Sequence, residues 1–222
     1  ALLAFFGELF AIKNKEKIRE HYRAYELGYF TLVFLVYSVT YSVALDFIKL
    51  YTSGILDVNY VRFELMTLFS IMGLVNCMRT PGATLINAIG HYSETKNRAL
   101  IEMVICFVGQ LILVNYYGLS GILIATITAY IYRTIDVIVY VNNKILNQKF
   151  LFTLKILIVN GLAGAIFIKY ISVSDRIINN YFDWIICASI NVLFCSIIFI
   201  FINSMFNMEM LIKLNNTIKR KQ

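Results

Sequence analysis

Apolar residues fall along this chain in long uncharged blocks, not in the alternating or single-faced patterns of a soluble fold. After a basic segment from Lys13 to Arg23, the uncharged run from Leu27 to Leu45 predicts a first complete membrane span over roughly Gly28 to Leu50. The turn-forming Tyr51-Thr52-Ser53-Gly54, with Asp57 and Asn59, follows as a short polar loop. A second apolar stretch runs from near Tyr60 to about Gly90, interrupted by Arg79 and Pro81. At about 1.5 Å per residue it is longer than one bilayer, so it should tilt, kink or project beyond the membrane. The polar residues His91 to Asn97 end it.

Residues 103 to 132 carry no charge yet contain Asn115-Tyr116-Tyr117-Gly118, a turn signal. This run is too short to supply two legs of about 20 residues each. A hairpin with spans at about 97 to 115 and 119 to 140 therefore draws Glu102 and Arg133 into the membrane. Both lie about 20 Å along their helices from the turn, which predicts similar depth.

A polar connection from Asn142 to Lys155 precedes a shorter apolar core, Ile156 to Ile168, which Lys155 and Lys169 lengthen by snorkelling. A last span covers about Trp184 to Asn207. The opening Ala1-Leu2-Leu3-Ala4-Phe5-Phe6 is expected to be the tail of a helix cut off upstream, which makes the chain the C-terminal part of a longer protein. The segment map is thus 1–12, the end of that helix; 13–27, a solvated cytoplasmic helix or loop; 28–141, four spans; 142–153, a cytoplasmic linker; 154–207, a final helix pair; and 208–222, a basic cytoplasmic tail. The expected fold is an all-α, polytopic transmembrane helix bundle of six complete spans.

Composition fits this pattern. Of 222 residues, 59% are apolar and 15% charged, with one proline, which excludes a disordered chain and argues against a soluble enzyme. The net charge of +7 raises the question of nucleic-acid binding. Sorting the 20 Lys and Arg residues by alternate sides of the map places Lys49, Arg62, Lys169 and Arg176 on one face, with Arg79 and Arg133 embedded and the remaining 14 on the other face. The positive-inside rule puts both chain ends in the cytoplasm, and topology with anionic lipid explains the charge without nucleic acid. Cys77, Cys106, Cys187 and Cys195 all lie in apolar runs, and His21 and His91 stand apart with no second ligand at metal spacing. No metal, cofactor or catalytic set is expected.

One stretch is more specific: Met78-Arg79-Thr80-Pro81-Gly82-Ala83-Thr84-Leu85-Ile86-Asn87-Ala88-Ile89-Gly90-His91-Tyr92, followed by Thr95-Lys96-Asn97-Arg98. It resembles the polysaccharide (Wzx-like) flippases of the multidrug/oligosaccharidyl-lipid/polysaccharide exporter superfamily. The resemblance extends to Tyr117-Gly118-Leu119-Ser120-Gly121, Ala125-Thr126 and Tyr132-Arg133-Thr134, covers about residues 8 to 147, and weakens afterwards. It implies part of the second lobe of a two-lobe, alternating-access transporter in the bacterial inner membrane that flips undecaprenyl-diphosphate-linked oligosaccharide for capsule, O-antigen or similar polymers. The implied partners are the lipid bilayer, that substrate, an N-terminal lobe of the same protein, and the pathway's glycosyltransferases and polymerase. An enzymatic role is not implied. A cation-coupled drug or metabolite exporter of the same superfamily, and a membrane scaffold or glycan polymerase component, are the alternatives.

Several residues carry a functional role beside a structural one. Pro81 lacks an N–H and leaves the Cys77 carbonyl without its helical partner, so Pro81 with Gly82 forms either a hinge or a fixed bend. Gly121, Ala125 and Ala129 repeat every four residues, as do Gly161 and Ala165, and this small-residue spacing predicts helix packing. Charge at membrane depth faces a bundle interior or a cavity. Arg133, with Arg79, therefore either contacts the substrate diphosphate or pairs with Glu102 or Asp136, which are also the candidate ion-coupling groups. Gln110 is a candidate for sugar hydroxyls, alongside Asn76, Asn87, Asn160 and Asn191.

Overall fold

The computed structural model describes residues 2–12, 15–55, 57–171 and 178–219, with side chains to 207. Lys13, Arg176, Arg220 and Lys221 of the charge map lie outside the described residues. All regular elements among the described residues are helical: α1 Leu2–Ala11, α2 Lys15–Tyr51, α3 Phe63–Met78, α4 Thr80–Ala88, α5 Tyr92–Tyr140, α6 Leu151–Ile171 and α7 Tyr181–Lys219, with a π-helical turn Val141–Ile145 after α5. The segments Lys15–Tyr51, Tyr92–Ile145, Leu151–Ile171 and Tyr181–Asn207 are long and apolar enough to cross a membrane. The chain divides into two units, Ala1–Tyr29 with Ile71–Leu154, and Phe30–Ser70 with Lys155–Gln222. The boundaries fall inside or beside helices and not in polar linkers.

In the first unit α5 is two helices. Gly118, at φ 56° and ψ −132°, interrupts it with a backbone conformation that a side chain disfavours, and the chain reverses there. Gly109 lies against Ala125, and Gly121 against the Leu113 carbonyl, so the small residues of the second limb pack on the first limb of the same hairpin. Ala125 and Ala129 are buried. Gly109 was not part of the sequence pattern, but it supplies the matching recess: a Cβ there would stand 3.1 Å from the Cβ of Ala125. The separate limbs correspond to the expected spans at 97 to 115 and 119 to 140.

The stretch from Tyr60 to Gly90 is two helices, with the break at Arg79 and not at Pro81. Pro81 occupies the first turn of α4, where its missing N–H costs no hydrogen bond. Gly82 is buried, and a side chain there would run into Val137. Gly90, at φ 75°, closes α4. Phe6 of α1, Tyr22, Leu85, Val137 and Val141 form the core of this unit.

Residues 15–27 take the helical form of the expected helix or loop, but they are not solvated on all sides. From Lys15 they belong to the same helix as the following span, and Ile18, Tyr22 and Glu26 are buried. Lys15, Glu16, Lys17 and Glu20 are exposed, and the rest of the segment docks: Arg19 Nη2 donates to the Leu146 carbonyl at 2.8 Å, and Arg23 Nε to Gln148 Oε1 at 2.9 Å.

In the second unit the inner face of α6 is Ile156, Asn160, Ala163 and Phe167, all fully buried. Gly161 meets Phe34 only at an ordinary distance and Ala165 is exposed; the close approach is at Gly164, where a Cβ would lie 2.7 Å from Ser38 Oγ. The expected stripe is therefore rotated from the contact face by about one residue. Asn160 Oδ1 accepts from Asn203 Nδ2 at 3.0 Å, and Asn203 Oδ1 from Asn207 Nδ2 at 2.9 Å, linking α6 to α7. Asn191 Nδ2 donates to Ser42 Oγ at 2.9 Å, and Trp184 Nε1 to the Val43 carbonyl at 2.9 Å.

Candidate functional site

The two limbs of α5 face each other through a series of polar rungs. Nearest the polar end, the Tyr140 hydroxyl donates to Glu94 and stands 3.0 Å from His91 Nδ1. One turn along, Arg98 Nη1 donates to Asp136 Oδ1 at 2.7 Å. Arg133 Nη1 donates to Asp136 Oδ2 at 2.8 Å, and its Nε lies 3.7 Å from Glu102 Oε2. Arg79, at the break between α3 and α4, donates from Nη1 to Glu102 Oε1 at 2.5 Å. Towards the turn, Gln110 Nε2 donates to Thr126 Oγ1 at 3.0 Å, beside Cys106.

The structure thus brings together Arg79, Glu102, Arg133 and Asp136, and adds Arg98, which the charge map counts among the 14 basic residues of the cytoplasmic face. Each of the four carboxylate oxygens of Glu102 and Asp136 faces an arginine. Three guanidiniums against two carboxylates leave this inner set one positive charge in excess. Its middle is the most enclosed part: the Arg133 side chain is 13% exposed, against 28% for Arg79 and 37% for Arg98. The two outer guanidiniums also lie over aromatic faces, Arg79 over Tyr130 and Arg98 over Tyr140, each 5.0 Å from the ring centre.

Local structure explains the alignment. On the first limb Glu94, Arg98, Glu102, Cys106 and Gln110 recur every four residues, so they form one stripe on a helix whose other residues from Ala99 to Val114 are apolar. That spacing is visible in the sequence and would have flagged Glu94 and Arg98. On the second limb Thr126, Tyr130, Arg133, Asp136 and Tyr140 follow the matching three- and four-residue steps. Beside the ladder lies an open pocket of about 410 Å³ bordered by Glu102, Cys106, Phe107, Gln110 and Tyr130. Gln110 is the candidate sugar contact placed at this pocket; Asn160 and Asn191 are bonded to neighbouring helices, and Asn76 Oδ1 is buried without a partner.

Chemically the site is an anion-attracting, carboxylate-buffered groove. Guanidiniums match phosphate oxygens in planar, two-point geometry, and the outer two are the more accessible. Comparison with protein-family models, with curated proteins and with solved structures finds no match to this chain.

Proposed function

We propose that this chain works in a membrane transporter of the oligosaccharide flippase type. It moves undecaprenyl-diphosphate-linked oligosaccharide across the bacterial inner membrane by alternating access, as part of the second of two lobes and not as an enzyme. The lipid bilayer, the other lobe, and the glycosyltransferases and polymerase of the pathway are its partners, and both ends of the chain face the cytoplasm, with six spans between them.

The observation that carries this reading is the inner charged set on the α5 hairpin. Four charged side chains on the two limbs of α5, joined by Arg79 from the break between α3 and α4, are costly in a bilayer unless they line a cavity or pair inside the bundle. Here they do pair, yet they retain a positive excess next to an open pocket with a Gln amide at its rim. A diphosphate headgroup with sugars attached complements that combination. Cation coupling at Glu102 or Asp136 is disfavoured, because all four of their oxygens are already directed at arginines.

The test is polymer export in cells whose own copy of the gene is deleted and replaced by variants. Arg79→Gln and Arg98→Gln, which remove the two accessible guanidiniums, should together abolish export and build up the lipid-linked intermediate, with export compared per molecule of protein in the membrane. Normal export in the double variant overturns the proposal, as does normal polymer in the deletion strain.

A further inference from the structure

Outside the ladder, the same unit holds a second polar cluster that the transport reading does not use. Glu26 on α2 is 1% exposed, and both of its carboxylate oxygens lie 3.0 Å from Thr153 Oγ1 of α6. The Tyr22 hydroxyl, one turn earlier, also hydrogen-bonds to Glu26. Thr153 accepts from Asn142 Nδ2 at 3.2 Å, and Asn142 Oδ1 accepts from Gln148 Nε2 at 2.7 Å. Gln148 Oε1 then accepts from Arg23 Nε at 2.9 Å, at the edge of the unit. Thr153 and Asn142 are fully buried.

Two features set Glu26 apart from Glu102 and Asp136. Among the described residues it forms no ion pair. The titratable and charged groups facing it are Tyr22 and Arg23, both on its own helix, whereas the π-helical turn and α6 bring only the uncharged Asn142 and Thr153. Arg23 is engaged elsewhere, with Gln148 and over the Phe152 ring at 4.4 Å. An ionised carboxylate buried without a cation is far more costly than the neutral acid in the same place.

Hydrogen counting points the same way. The Thr153 hydroxyl has one hydrogen and two close carboxylate contacts, so one contact has no hydrogen while Glu26 is ionised. With a proton on the carboxyl, Thr153 donates to one oxygen and accepts from the other, and its remaining lone pair takes the Asn142 amide. The cluster is then fully matched.

We propose that Glu26 is a proton-binding site. The protonated carboxyl locks the start of α2 to the π-helical turn and to the start of α6, and the ionised carboxylate swings towards Arg23, three residues earlier on the same helix. The bond to Thr153 is then lost. This proposal stands on the cluster alone and holds whatever the chain transports.

Infrared difference spectroscopy of the full chain in lipid vesicles, taken as a pH titration, tests it. The native protein should show a protonated-carboxyl C=O band at neutral pH that disappears on alkalinisation. That band should be lost in Glu26→Gln, kept in Glu102→Gln, and displaced in frequency in Thr153→Val, which removes the hydrogen-bond partner. Absence of the band from the native protein, its survival in Glu26→Gln, or an unmoved band in Thr153→Val each overturns the proposal. The threonine variant decides the matter if Glu26→Gln does not accumulate.

Discussion

Arg79 donates to Glu102 at 2.5 Å, tying the break between α3 and α4 to the first limb of the α5 hairpin. Glu102 also faces Arg133, and Asp136 faces both Arg133 and Arg98, so each carboxylate has two arginines. The redundancy is one-sided. Removing Arg133 leaves two intact pairs and no excess charge, whereas removing either carboxylate leaves an excess of two.

An asymmetry in stability follows. Arg133→Gln should cost about 1 kcal/mol, the ordinary cost of a lost buried hydrogen bond. Glu102→Gln and Asp136→Asn should each cost about 3 kcal/mol, as expected when a buried ion loses its partner. Adding Arg133→Gln to either should recover much of that loss. Membrane abundance and unfolding midpoints in detergent measure all five proteins. Equal losses for Arg133→Gln and Glu102→Gln would show that the charges are not coupled in this way.

The hairpin offers a covalent test. Cys106 Sγ lies 3.9 Å from Thr126 Oγ1 across the two limbs. With Cys77, Cys187 and Cys195 changed to Ala, Thr126→Cys should give an intramolecular disulfide with Cys106 on mild oxidation, read by peptide mass spectrometry. A control at Thr128, whose hydroxyl bonds within its own helix and is exposed, should not cross-link.

Much of this hairpin is legible in the sequence, because an uncharged run too short for two full spans forces its flanking charges inward. The matched depth of Glu102 and Arg133 comes from that arithmetic alone, and the 3.7 Å contact agrees with it. Which arginine takes which carboxylate is not legible, since Arg79 reads as an interruption of the Tyr60 to Gly90 stretch and Arg98 as one of the cytoplasmic charges. Glu26 was hidden for a related reason. A run of mixed charges reads as solvated, and only the docking of Ile18 and Tyr22 shows that one face of it is core. On α6, Gly161, Ala163, Gly164 and Ala165 crowd together, so a spacing rule cannot choose the contacting residue without knowing where Ser38 lies.

The proposed topology is checked by labelling single cysteines in intact cells with a membrane-impermeant maleimide. Positions 93 and 147 should be protected until the membrane is opened, whereas position 55, in the loop between α2 and α3, should label at once. The expectation comes from the 14 basic residues assigned to the cytoplasmic face against four on the other. Labelling of 93 from outside would invert the assignment.

The α6 contact separates two glycines that look equivalent in sequence. An alanine Cβ at 164 would stand 2.7 Å from Ser38 Oγ and 3.9 Å from Phe199, closer to the hydroxyl than packed carbon atoms come. The serine must rotate or the helices must part, so Gly164→Ala should cost about 1 to 2 kcal/mol despite alanine's better helix propensity. At 161 the nearest atom is Phe34 Cε1 at 3.8 Å, an ordinary contact, so Gly161→Ala should be neutral or stabilise by up to about 1 kcal/mol. Ser38→Ala removes the obstructing oxygen while its own Cβ stays 4.0 Å away, so it should relieve most of the penalty at 164 and leave the effect at 161 unchanged. Unfolding midpoints of the two glycine variants, each with and without Ser38→Ala, form two double-mutant cycles. Coupling at 164 and none at 161 places the close approach of α6 at Gly164; coupling at 161, or equal penalties at both glycines, would return it to the Gly161 and Ala165 face.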